Sequence, residues 1–273
     1  MKLTTLLETK GIDPQPLQDF KPHGGVILMD YNEREVILEW ITQCNLGFEL
    51  LPLFSNQESD CVAIYTTGFL KGKMVIVRHD EAVFAPQFRS FNSFLKAYEK
   101  AAMQADFYDW EDIEVYDYDY PITEEKQAEP AIWQECWQRI KANDFISDVQ
   151  KETIQIMAIC LTPPSQLDTL LPFIQKEFAL KEDMSVIAYA IDVLGITHQY
   201  EPAKPLIAEL LKTRRFAAYY RRGELYHGEF KVKETFIGEV IRPLLRVIIV
   251  PFMLLSLFFV ELKDRFKSKN VKK

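Results

Sequence analysis

The residues best suited to catalysis or metal binding in this sequence are its four histidines, His23, His79, His198 and His227. None has a cysteine or a second histidine at the spacing of metal ligands, and the chain contains no P-loop, GxGxxG, GxSxG or HExxH motif. His79 and Asp80 adjoin at the end of a predicted strand and could act as base and acid, although a polar strand end is the more common situation. The sequence therefore predicts a protein that is not an enzyme and carries no cofactor or metal.

The four cysteines are scattered along the chain without CxxC spacing. They are Cys44, Cys61, Cys136 and Cys160. This distribution is typical of buried free thiols in a reducing compartment. The first residues, MKLTTLLETKGID, lack the apolar core of a signal peptide. We therefore expect a cytoplasmic protein, with the cytoplasmic face of the membrane as the alternative location.

Charge is distributed unequally along the chain. Residues 1–203 contain 16 Lys/Arg and 33 Asp/Glu, a net charge of −17, whereas residues 204–273 contain 16 Lys/Arg and 7 Asp/Glu, a net charge of +9. An acidic body repels nucleic acid and attracts basic proteins. The basic part could contact an anionic lipid surface or fold back on the acidic part. We expect a basic protein partner and no nucleic acid, and the sequence leaves the oligomeric state open.

Hydrophobic patterning predicts an α+β first domain over residues 1–105. The predicted strands are Val26–Met29, Phe48–Phe54, Cys61–Thr67 and Gly72–His79, the last two forming a hairpin. One predicted helix begins at Asn32 and another spans Ser90–Gln104. Apart from the first strand, the first thirty residues are rich in Pro and Gly turns, and we expect them to be irregular.

Beyond Pro130 the pattern becomes helical, which predicts an all-α second domain over residues 131–235. The predicted helices are Ala131–Lys141, Asp148–Leu161, Ser165–Phe178, Asp183–Gly195 and Ala203–Thr213. Val149–Phe178 and Met184–Lys212 resemble two HEAT-type repeats, with a spacing of about 35 residues. An ordinary bundle of helical hairpins is the alternative.

Residues 106–130 separate the two predicted domains, and we call them the acidic-aromatic tract. The tract contains ten Asp/Glu, one Lys and six aromatic residues. Aromatic side chains beside carboxylates suit the capture of a basic protein, because the rings supply buried area while the charge steers the encounter. The candidate partner-binding residues are Asp109, Trp110, Glu111, Asp112, Tyr116, Asp117, Tyr118 and Asp119. The alternative is a linker whose aromatic residues pack on the flanking domains.

Residues 236–273 form the last predicted part, an apolar helix with a basic tail. The fourteen residues from Val247 to Val260 carry no charge. As a helix they would span about 21 Å, less than the roughly 30 Å of a bilayer core, although basic flanking residues favour contact with an anionic leaflet. The candidate membrane-association residues are Arg246, Phe252, Leu254, Leu255, Phe258 and Phe259. A buried or self-associating helix is the alternative.

Three elements of the first domain resemble the SUKH superfamily over about residues 26–104. They are a strand containing Leu51-Pro52, paired strands ending at Val77–Asp80, and a helix beginning Ser90–Leu95. The resemblance implies an α+β module of the kind that serves as an immunity protein, which binds and neutralises a toxin without chemistry of its own. Many such toxins are basic nucleases, for which an acidic protein is a suitable ligand. The alternative is a membrane-associated scaffold or regulatory adaptor that binds its partner through the helical domain.

Overall fold

The structure, a computed structural model, describes residues 2–56, 60–78, 83–104, 129–180 and 184–210, together with Trp110, Ile113, Asp117 and Tyr118. Over this part of the chain the fold is mixed α+β, as the sequence predicts, with nine α-helices and one four-stranded antiparallel sheet. Met1–Ile207 form one compact unit and Ala208–Lys273 a second. The SUKH-like and HEAT-like features and the predicted domain boundaries stay predictions.

The sheet has the strand order β1-β2-β3-β4. Its strands are β1 Ile27–Leu28, β2 Leu50–Ser55, β3 Cys61–Tyr65 and β4 Met74–Val77. Neighbouring strands are all antiparallel, with Leu51 opposite Ile64 and Val62 opposite Ile76. Every residue of β2, β3 and β4 is buried, so both faces of the sheet are covered by other parts of the protein.

One face of the sheet packs against helix α4, Phe91–Ala102. Ser90 caps this helix, because its hydroxyl accepts from the backbone N–H of Ser93 while the Ser93 hydroxyl accepts from that of Ser90. The ring of Phe94 lies 5.4 Å from that of Phe54 on β2. This aromatic packing forms the centre of the hydrophobic core.

The N-terminal residues contain two short helices, α1 Leu3–Thr9 and α2 Gln15–Asp19, so the expectation of an irregular start is wrong for these segments. Leu7 of α1 and Leu17 of α2 are buried in the core around α4. Pro16 lies in the first turn of α2, where the absence of a backbone N–H costs no helical hydrogen bond. Burial of leucines against the core stabilises helices that would be too short to form alone.

The remaining helices lie between the first two strands and after the tract. Their bounds are α3 Tyr31–Gln43, α5 Pro130–Ala142, α6 Asp148–Cys160, α7 Leu167–Leu180, α8 Met184–Ile191 and α9 Lys204–Leu210. Helix α6 packs on both α5 and α8. Where the sequence predicts one helix over Asp183–Gly195, the structure has α8 followed by a π-helical turn, Asp192–Thr197. Among the described helices, none combines the length and the apolar composition needed to cross a membrane.

The loop before α6 contacts the turn that follows α3. The Ser147 hydroxyl donates to the backbone carbonyl of Asn45 at 2.8 Å, and the side-chain amide of Asn45 donates to the backbone carbonyl of Ile146 at 3.4 Å. Gly47 has φ +75°, and a Cβ built there would lie 2.3 Å from the Gln150 amide nitrogen and 2.5 Å from Cδ1 of Ile146. The positive φ favours glycine at this position, and a larger residue would also require the Gln150 and Ile146 side chains to move.

Candidate functional site

Three of the eight candidate residues in the acidic-aromatic tract are described by the structure: Trp110, Asp117 and Tyr118. The others, Asp109, Glu111, Asp112, Tyr116 and Asp119, lie outside the described residues. Trp110 is fully buried and belongs to the core around α4, and Tyr118 is also buried. These two aromatic side chains therefore pack on the body of the protein, as in the packing alternative, and do not offer a contact surface for a partner.

Tyr118 is part of a polar cluster centred on Glu129, which we call the Glu129 cluster. The Glu129 carboxylate accepts a hydrogen bond from the Tyr118 hydroxyl and forms an ion pair with Lys73. It forms a second ion pair with Arg89 at 3.2 Å, and the Arg89 guanidinium lies 4.9 Å from the centre of the Tyr118 ring. Burial raises the pKa of Tyr118, and the hydrogen bond to Glu129 adds to the shift.

The cluster also includes Asp117, whose carboxylate accepts from the backbone N–H of Arg89 at 2.8 Å. The carboxylates of Asp117 and Glu129 are thus both engaged within the protein. Through Arg89, the two carboxylates connect the tract to the segment before α4, and Glu129 lies immediately before α5. This arrangement is suited to holding the fold together more than to binding a basic partner.

The other predicted positions fall outside the described residues. These are His79 and Asp80, and the membrane-association residues Arg246, Phe252, Leu254, Leu255, Phe258 and Phe259. Among the described residues there is no group of three or more His, Cys, Asp or Glu side chains that could hold a metal ion.

A cavity of about 400 Å³ opens beside the N-terminal end of α4. The residues lining it are Gly11, Ile12, Asp13, Pro16, Ile64, Lys71, Gly72, Ser90, Phe91 and Asn92. The charged groups of the lining are one ammonium, on Lys71, and one carboxylate, on Asp13, which accepts a hydrogen bond from the backbone N–H of Gln15 at 2.9 Å. Because these charges have opposite sign, the lining favours neither an anion nor a cation.

Helix α3 presents an exposed surface, and its orientation is fixed by its buried side. The Asp30 carboxylate caps the helix by accepting from the backbone N–H of Glu33 at 2.9 Å. The buried Arg34 side chain donates to the carbonyls of Met29 at 2.7 Å and Pro52 at 3.2 Å. Burial lowers the pKa of Arg34, and nearby carboxylates oppose that shift. These bonds hold the only arginine of α3 inward, against β2.

The opposite side of α3 is exposed to solvent. Tyr31, Glu35, Val36 and Glu39 lie within an arc of about 140° around the helix axis, and we call them the α3 face. The side chain of Tyr31 is 61% exposed and that of Val36 is 69% exposed, while Glu35 and Glu39 are exposed as well. The α3 face therefore combines apolar area with negative charge.

The two carboxylates of the α3 face differ in their surroundings, because Glu35 attracts the neighbouring buried Arg34 electrostatically. Glu33, on the flank of the helix, accepts a hydrogen bond from the Ser55 hydroxyl. Within the described part of the chain, neither Glu35 nor Glu39 forms an ion pair with a lysine or arginine. The two are four residues apart on one helix, and such a like-charge pair costs about 0.2–0.5 kcal/mol. A cationic partner would relieve this repulsion.

The α3 face was not among the candidate sites predicted from the sequence. The apolar pattern groups Val36 with Ile37, Trp40 and Ile41, but the structure corrects this by exposing Val36 while Ile41 is buried. A helical projection contains the signal, because Val36 lies about 140° around the axis from Ile41. The exposed Val36, between two glutamates, was the feature that could have indicated a surface site.

Comparison with known proteins gives no match: no family model fits the chain, and no curated protein or solved structure is significantly similar to it.

Proposed function

We propose that this chain is a non-enzymatic protein-binding module that captures a basic partner protein through the α3 face. The observation that carries the proposal is the joint exposure of Tyr31 and Val36 beside Glu35 and Glu39, with the arginine of the same helix held inside. Exposed apolar area supplies binding energy when it is covered, and carboxylates select a cationic surface. The α3 face takes the place of Trp110 and Tyr118, which are buried.

The partner that suits this chemistry is a protein with lysines and arginines around an apolar centre. We propose neutralisation of a cationic toxin, such as a nuclease, as the biological role. The net charge of −17 over residues 1–203 supports it, because a negative potential competes with phosphate for the cationic cleft of a nuclease. The resemblance of residues 26–104 to SUKH immunity proteins supports the same role.

The proposal can be tested with a defined probe, a stapled helical peptide of 22 residues with leucines on one face and lysines and arginines on the other. Affinity is measured by isothermal titration calorimetry in 50 mM and 200 mM NaCl. The test variant is Glu35→Lys/Glu39→Lys. We expect it to weaken binding at least tenfold at the lower salt concentration, because two attractive contacts become repulsive.

The matched control is Glu8→Lys/Glu99→Lys, which makes the same change in net charge at exposed positions of α1 and α4. We expect this control to retain affinity within about threefold, since only long-range attraction is reduced. Equal losses in the two double variants would contradict the proposal, because they would mean that net charge alone, without the α3 face, holds the peptide. A peptide with glutamates in place of its cations should not bind.

A further inference from the structure

A second exposed apolar residue lies close to one end of α3. Ile146, in the loop between α5 and α6, is 55% exposed, and Asp144 and Asp148 on either side of it are exposed too. The composition of this site repeats that of the α3 face, an aliphatic side chain between carboxylates. We call Asp144, Ile146 and Asp148 the α6 loop site.

The α6 loop site is hydrogen-bonded to the turn that follows α3. Ser147 donates to the carbonyl of Asn45, Asn45 donates to the carbonyl of Ile146, and Gly47 allows the Ile146 side chain to lie against the backbone. Asn45 has φ +50°, a left-handed conformation that non-glycine residues seldom adopt. This conformation turns the chain sharply at the end of α3 and brings the loop to it.

Exposed residues connect the two sites along the helix. Val36, Glu39 and Gln43 follow each other at helical spacing and are all exposed, and Gln43 is the last residue of α3. From Tyr31 to Gln43 the helix is about 20 Å long. The row therefore leads from the α3 face towards the turn on which Ile146 rests.

We infer that the α3 face and the α6 loop site form one composite docking surface for a single cationic amphipathic segment of the partner. The inference rests on the proposed function and extends it by defining the kind of ligand. An amphipathic helix longer than about 20 Å, with cations along its length and apolar residues at two separated positions, fits both sites at once. Its cations meet the carboxylates beside Val36 and Ile146, and its apolar residues cover these two side chains.

The length dependence of binding distinguishes one site from two. The probes are two stapled helical peptides of the same leucine, lysine and arginine pattern, one of 11 residues and one of 22, about 16 Å and 33 Å long. The test variant is Ile146→Ser, and the control is Met103→Ser, which removes another exposed apolar side chain, 85% exposed at the end of α4. Circular dichroism and thermal unfolding verify that both variants are folded.

We expect Ile146→Ser to weaken binding of the 22-residue peptide roughly five- to tenfold, which is the effect of losing one covered aliphatic side chain. Binding of the 11-residue peptide should stay within twofold, and Met103→Ser should affect neither peptide. If Ile146→Ser leaves the 22-residue peptide unaffected while Glu35→Lys/Glu39→Lys weakens it, the composite surface is refuted and the proposed function stands. If Glu35→Lys/Glu39→Lys also has no effect, the proposed function is refuted with it.

Discussion

Replacing Glu129 with glutamine removes one negative charge from the centre of the Glu129 cluster while preserving the shape of the side chain. Glu129 forms ion pairs with Lys73 and Arg89, which lie in two other segments of the chain, and accepts a hydrogen bond from Tyr118 of the same tract. In the variant, Lys73 and Arg89 both lose this carboxylate as a partner. The tract and the start of α5 then lose one polar connection to the segments that contain Lys73 and Arg89.

The burial of these groups sets the size of the effect. The side chains of Lys73, Arg89 and Glu129 are 11%, 19% and 20% exposed. Removing one partner of a fully buried ion pair costs about 3–5 kcal/mol, whereas the median for exposed pairs is about 0–1 kcal/mol. Because some solvent reaches the cluster and glutamine can still accept from Tyr118, we expect Glu129→Gln to lower the free energy of unfolding by about 2–3 kcal/mol.

The assay is urea unfolding followed by circular dichroism at constant pH and salt, with Glu201→Gln as control. The Lys204–Glu201 pair is exposed, with side-chain exposures of 36% and 73%, so its loss should cost less than about 0.5 kcal/mol. Limited proteolysis of Glu129→Gln should also cut the tract faster than in the parent protein. Equal unfolding free energies for the two variants would refute the idea that this cluster stabilises the fold.

Three further predictions concern backbone strain, pH and thiol reactivity. Gly47→Ala should lower the free energy of unfolding by about 1 kcal/mol more than Gly72→Ala does, because both glycines have positive φ but only a Cβ at position 47 would push side chains aside. Burial lowers the pKa of His198, so the folded state binds fewer protons than the unfolded state. The stability of the protein should therefore fall as the pH drops through about 6.5, the usual pKa of histidine. His198→Asn should flatten this dependence when thermal unfolding is measured from pH 7.5 to 5. In the native protein a disulfide reagent at pH 8 should modify Cys44 before Cys61, since Cys61 is buried and burial raises the pKa of its thiol. Cys44→Ser should therefore remove the fast phase of thiol modification. An unchanged fast phase would contradict this order.

The sheet and its principal helix could be predicted because their signals are local. The β-branched runs around Val62 and Val75 fix two strands, and Ser90 with Phe91, Phe94 and Tyr98 fixes a capped helix with one apolar side. The short helices α1 and α2 were missed because their stability comes from leucines buried by distant parts of the chain.

The contacts within the acidic-aromatic tract could not be predicted, because they depend on residues far away in the sequence. The sequence left packing of the tract's aromatic residues on the flanking domains as an alternative, and both Trp110 and Tyr118 are buried. Tyr118 is stable there because Arg89 covers its ring and Glu129 accepts from its hydroxyl, and neither partner can be identified from spacing. Tertiary pairing thus changes the role of these residues from contact surface to internal support.

Net charge predicts the sign of the charge on a partner but not the place where the partner binds. That place depends on which carboxylates are already paired with cationic side chains within the fold. The carboxylate of Glu129 has two cations beside it and little access to solvent, so a partner would have to displace an existing bond to use it. Glu35 and Glu39 are exposed, and among the described residues neither forms a direct ion pair, while Glu35 attracts the buried Arg34. A cation therefore gains their attraction without breaking a direct ion pair. Exposed apolar side chains mark the same helix face, and they add binding energy that salt does not screen. Binding through the α3 face should therefore weaken with salt and yet keep an apolar component, whereas attraction by net charge alone would vanish.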